Sequence, residues 1–81
     1  MKQTFYLIAT LIEMSDEVSD FHALFENKEA ALETFQKEIS ECAENFKGQI
    51  GEHLIDLPNC KEWRNEDGYG YTVSLEVITP L

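Results

Sequence analysis

The stretch TFYLIATLIEM, residues 4–14, constrains this chain more than any other. It is rich in β-branched and aromatic residues, which favour strands. Both alternating sets are mostly apolar: Phe5, Leu7, Ala9 and Leu11 on one side, Tyr6, Ile8, Ile12 and Met14 on the other. A strand with two apolar faces belongs in the middle of a sheet with both faces covered. The chain must therefore supply strands beside this one and material above and below it.

The polar, turn-forming segment MSDEVSD (14–20) follows, and FHALFE (21–26) returns as a second, shorter strand with Phe21, Ala23 and Phe25 alternating. Asn27 has the character of a helix N-cap, and Glu29 lies in the first turn, where the macrodipole favours an acid. The spacing predicts a helix from about Lys28 to Lys47. Ala31, Leu32, Phe35, Ile39, Cys42, Ala43 and Phe46, in steps of three and four, form one apolar stripe. Gly48 follows as a C-terminal stop. Residues 48–59, GQIGEHLIDLPN, carry two glycines and Pro58, so an irregular segment is expected. A short helical turn around 52–56 would let Ile50, Leu54, Ile55 and Leu57 tuck against the core.

WRNEDGYGY, residues 63–71, holds a hairpin turn whose register decides which face is core. A two-residue Asp67-Gly68 turn would set Trp63 opposite Thr72 and turn Arg64 inward. A type I turn over Asn65-Glu66-Asp67-Gly68, with Gly68 left-handed in a bulge, sets Trp63 opposite Tyr71 instead. One residue of slip moves every side chain to the other face. The second register aligns Trp63, Tyr69, Tyr71, Val73, Leu75 and Val77 on one face and is preferred.

The expected fold is α+β: ββαββ, a four-stranded antiparallel sheet in the order 2-1-4-3, with one helix packed on one face. Residues 1–81 form a single domain, since a chain this short holds one core and no more. Such a chain buries roughly 60% of its unfolded surface. One helix covers one face. The other is expected to carry Tyr6, Ile8 and Ile12 with Leu24, Thr72 and Ile78, an apolar patch that a second copy of the chain or another protein would cover, the alternative being that residues 48–59 fold over it.

Sixteen acidic residues against six basic give a net charge of −10. That field opposes direct nucleic-acid binding, which needs clustered Lys and Arg. A hydrophobic content of 43% separates the chain from disordered acidic tails. Two cysteines, Cys42 and Cys60, are too few for a disulfide framework. The N-terminal apolar run contains Thr10, ends at Glu13, and has no small-residue cleavage site after it, so no signal peptide is read. It is too short to span a bilayer. The expectation is a cytoplasmic protein with no membrane association.

No short Cys-x-x-Cys or His-x-x-x-His pair seeds a metal site, so neither metal nor cofactor is expected. A Cys60–His53 nucleophile pair would lack a third, orienting group. GYG at 68–70 sits inside a hairpin with neither the following helix nor the lysine of a phosphate loop. Residues 16–20 do not match an EF-hand, and the carboxylates fall mainly in turns and on the polar helix face. No catalytic residue is identified.

The helix face sets Glu29, Glu33, Glu38, Glu41 and Glu44 against Lys28, Lys37 and Lys47, with Glu33–Lys37 as a favourable i, i+4 pair. A short, very acidic α+β chain without catalytic motifs is similar in general type to small phage and mobile-element proteins that bind and block host machinery. That likeness implies a non-enzymatic module docking on a basic host protein. The residues expected to carry it are Glu33, Glu41 and Glu44 on the helix, and Tyr6, Ile8 and Ile12 on the sheet. The alternative is a small-molecule-binding homodimer, its pocket between the sheet and the 48–59 segment, lined by Trp63, Tyr71, Leu54 and His53.

Overall fold

A computed structural model describes residues 3–80. In chain order these form β1 (Phe5–Glu13), β2 (Val18–Phe25), α1 (Lys28–Asn45), β3 (Gly51–Leu57), β4 (Cys60–Asn65) and β5 (Gly70–Ile78). The fold is α+β with one helix and an antiparallel sheet. The sheet has five strands, in the order β2-β1-β5-β4-β3, and not the expected four.

The additional strand is β3, drawn from the segment expected to be irregular. No helical turn forms there. Leu57 pairs with Cys60 across the two-residue loop Pro58-Asn59, where the fixed φ of proline suits a tight turn. β3 therefore extends the sheet sideways and does not fold over it. Its register slips between His53 and Ile55, leaving Leu54 in a bulge. The long apolar strands β1 and β5 are neighbours, paired from Phe5 opposite Ile78 to Glu13 opposite Gly70.

Local chemistry explains the ends of α1. The Asn27 side chain accepts from the Ala30 N–H at 3.0 Å, satisfying one of the free donors of the first turn. Phe46 caps the other end, its N–H directed at the Ala43 and Glu44 carbonyls. The helix proper stops two residues before Lys47. Gly48 follows with φ of +83°, a value open to glycine and costly for other residues.

The β4–β5 turn takes the preferred register. The Gly68 N–H reaches the Asn65 carbonyl at 3.1 Å, and Gly68 has φ of +86°. The Asn65 side chain accepts from the N–H groups of Asp67 (2.9 Å) and Tyr69 (3.0 Å), holding the loop as an Asx turn. Trp63 then lies opposite Tyr71, and the two rings stack with centroids 6.1 Å apart. Trp63 is half-buried against the core.

Ile8, Ala31, Phe35, Cys42, Phe46, Tyr71, Val73 and Leu75 form the core between helix and sheet. α1 packs on β1, β5 and β2, while β4 and β3 lie largely beyond it. The molecule is correspondingly long, 47 × 22 × 19 Å.

The face of β1 is the second correction. Tyr6, Ile8 and Ile12 lie under the helix, with Ile8 fully buried. Ile8 pairs with Leu75 and Ile12 with Tyr71, so they share the face that the helix covers. The opposite set, Phe5, Leu7, Ala9 and Leu11, lines the open face.

Candidate functional site

Side chains directly opposite one another in an antiparallel sheet share a face, so the register maps the open side strand by strand. Leu24, Leu7 and Glu76 make one row. His22, Ala9, Ser74, Cys60 and Leu57 make the next. Asp20, Leu11, Thr72, Glu62 and Ile55 make a third, and Val18, Glu13, Gly70, Arg64 and Glu52 a fourth. Phe5 and Ile78 close the end. Of the open-face residues expected from sequence, Leu24, Thr72 and Ile78 lie here.

Among the described residues no helix crosses this side. Leu24 is 59% exposed, Leu11 37% and Ile78 37%. A shallow hollow of about 300 Å³ is lined by Ala9, Leu11, Asp20, His22, Thr72 and Ser74, among others. Ala9 and Leu11 of β1 form its apolar floor, and polar side chains of β2 and β5 flank it.

Charge surrounds that apolar band. Among the described residues the open face carries Glu13, Asp20, Glu52, Glu62 and Glu76 against a single cation, Arg64. The Arg64 guanidinium bonds Glu13 on β1 at 2.9 Å and Glu62 on its own strand at 3.0 Å. Gly70 on β5 lies between Arg64 and Glu13 in the register, and its missing side chain lets the guanidinium cross that strand. Burial works against the Arg64 charge, but the hydrogen bonds it donates to Glu13 and Glu62, with the charges of those carboxylates, outweigh it and raise its pKa. With its cation engaged, the face is acidic on balance.

The helix ridge differs from its expected pairing. Lys37 pairs with Glu41 at 3.9 Å, and no ion pair joins it to Glu33 among the described residues. Lys47 lies 3.8 Å from Glu44. Glu33, Glu41 and Glu44 are all exposed. Two of these three acids have a lysine neighbour, which weakens the ridge as a source of negative field.

Trp63, Tyr71 and His53 converge with Ala43, Phe46 and Gln49 around a depression of about 250 Å³ at the end of α1. Phe46 packs on Trp63 with centroids 5.3 Å apart. Leu54 stands apart, 56% exposed in the β3 bulge. Three of the four expected lining residues thus meet; residues 51–57 continue the sheet as β3, and Ala43 and Phe46 of the helix end supply the opposite wall. The remaining depression is smaller than the roughly 300 Å³ at which ligand clefts begin.

The structure also separates the nucleophile pair. His53 lies opposite Trp63 on the helix side of β3, whereas Cys60 lies on the open side. Cys42 is buried, and burial, followed by Glu38 and Glu41, pushes its pKa up to about 11. Its thiol stays protonated, which suits a core residue. Among the described residues no group of three or more His, Cys, Asp or Glu side chains could hold a metal ion. No helix among them is long and apolar enough to cross a membrane. No protein-family model, curated protein or solved structure matches the chain.

Proposed function

We propose that this protein is a non-enzymatic interaction module that docks the open face of its sheet on a basic protein surface. One observation carries this reading: apolar side chains on three adjacent strands stand uncovered inside a margin of five carboxylates and one engaged arginine. Monomeric proteins seldom leave such a patch bare. The complementary partner presents apolar side chains ringed by Lys or Arg. A net charge of −10 speeds encounter with that partner and makes the association rate fall as salt rises.

The test uses three baits on the same lysate: the wild-type chain, a Leu11→Arg/Ile78→Arg variant, and a Glu33→Lys/Glu41→Lys/Glu44→Lys variant. Far-UV circular dichroism first establishes that all three are folded. A protein retained by the wild type and by the helix variant, but lost from the sheet variant, supports the reading. A protein lost only from the helix variant moves the docking surface to α1 and overturns it, as does equal retention on all three.

A further inference from the structure

β2 and β3 are the two edges of the sheet among the described residues, and they differ in kind. β3 begins at Gly51, is broken by the bulge between His53 and Ile55, and runs into Pro58. Each of these features discourages another strand from adding on. β2 has none of them. It holds eight uninterrupted pairs with β1, contains no Gly, Pro or Lys, and is exposed from Val18 to His22. Its outer backbone groups are a template for another strand.

The residues of that edge, VSDFHAL (18–24), mirror one another about Phe21. Asp20 and His22 flank it with complementary polarity. Ser19 and Ala23 are both small. Val18 and Leu24 are both apolar and exposed, at 65% and 59%. We propose that β2 pairs antiparallel with β2 of a second copy of this chain. In that register Asp20 lies opposite His22 twice, Val18 opposite Leu24 twice, and Phe21 opposite Phe21.

Symmetry and charge select this register. Two antiparallel neighbours are related by a two-fold axis perpendicular to the sheet, so each pair keeps its face and the axis passes through a residue pair. Centred on Asp20, the axis sets two carboxylates opposite each other. Centred on His22, it sets two imidazoles opposite each other and places Asp20 against Leu24. Centred on Phe21, each Asp20 carboxylate meets an imidazole, which can donate a hydrogen bond to it, and every exposed apolar group meets another. Like charges directly opposite destabilise a sheet, and opposite charges stabilise it.

The product is a ten-stranded sheet, two sets of five. The axis keeps both open faces on one side and both helices on the other. The dimer therefore presents two docking faces in one plane, suited to a partner with a repeated surface.

The test measures sedimentation of the purified chain from micromolar to submillimolar concentration. The wild type is expected to dimerise. Asp20→Lys sets lysine opposite His22, and His22→Asp sets two carboxylate pairs opposite each other. Each should raise the dimer dissociation constant by roughly 30-fold. The double variant Asp20→Lys/His22→Asp restores opposite charges in both pairs and should restore dimerisation. A wild type that stays monomeric across the range overturns the proposal, as does a dimer indifferent to the single substitutions or a double variant that fails to recover. The measurement needs no partner protein, so it can fail while the docking reading stands, and the reverse.

Discussion

Thr10 offers the sharpest test of how the core is built. It sits in the centre of β1 under the helix, 3% exposed, opposite Phe21 on one side and Val73 on the other. Its hydroxyl is buried with no hydrogen-bond partner among the described residues. An unpaired buried hydroxyl costs about 1–3 kcal/mol. Valine has nearly the same shape, so Thr10→Val removes that cost and opens no cavity. The expected gain is about 1.5 kcal/mol, which for a domain of this size raises Tm by about 6–12 °C. The companion variant, Thr10→Ser, keeps the hydroxyl and loses a buried methyl, and should cost about 1 kcal/mol. Urea unfolding followed by Trp63 fluorescence and by circular dichroism measures both, and agreement of the two probes establishes the two-state behaviour the comparison needs. A Thr10→Val protein no more stable than wild type would refute the reasoning, because the hydroxyl would then have a partner in solution.

Two further outcomes follow from particular contacts. A Cβ on Gly70 would run into the backbone carbonyl of Trp63, which cannot swing aside as a side chain would. Gly70→Ala should therefore cost on the order of 3 kcal/mol in urea unfolding; a loss below 0.5 kcal/mol, the usual scatter of neutral surface changes, would show that the strands separate easily. Cys42 gives a pH signature: its folded pKa of about 11 lies above the ordinary 9.0. The buried protonated thiol thus contributes in full below pH 9, and the contribution is lost as pH rises toward 11, because the unfolded chain releases that proton first. Between these pH values wild type should lose on the order of 2 kcal/mol more stability than Cys42→Ala. Parallel stability curves for the two proteins would contradict the assignment.

Much of the architecture was legible in the sequence because single residues announce it. Asn27 and Gly48 bracket the helix, and Asn65 with Gly68 sets the β4–β5 register. β3 was not legible. The bulge at Leu54 breaks its alternation, and with only Ile55 half-buried no face imposes a pattern. The two faces of β1 were exchanged for a related reason. Its core-facing set contains a polar residue, Thr10, while the open set Phe5, Leu7, Ala9 and Leu11 is wholly apolar. Hydrophobicity pointed to the wrong side, and only the pairing with β5 decides it. The candidate docking face was visible as an idea, an uncovered side, but its residues depend on that parity. Arg64 and its two carboxylates come from distant parts of the chain, and no local pattern joins them.

The adjacency of β1 and β5 has a bearing on how the molecule is made. Ile8 meets Leu75, and Thr10 meets Val73. The strand that emerges from the ribosome earliest thus waits for the one that emerges latest in this domain, and the helix has no complete bed until then. Non-local pairing of this kind slows folding. During synthesis the nascent β1–β2–α1 portion carries greasy surface on every side, and a chaperone or a second nascent chain can claim it before Val73 arrives.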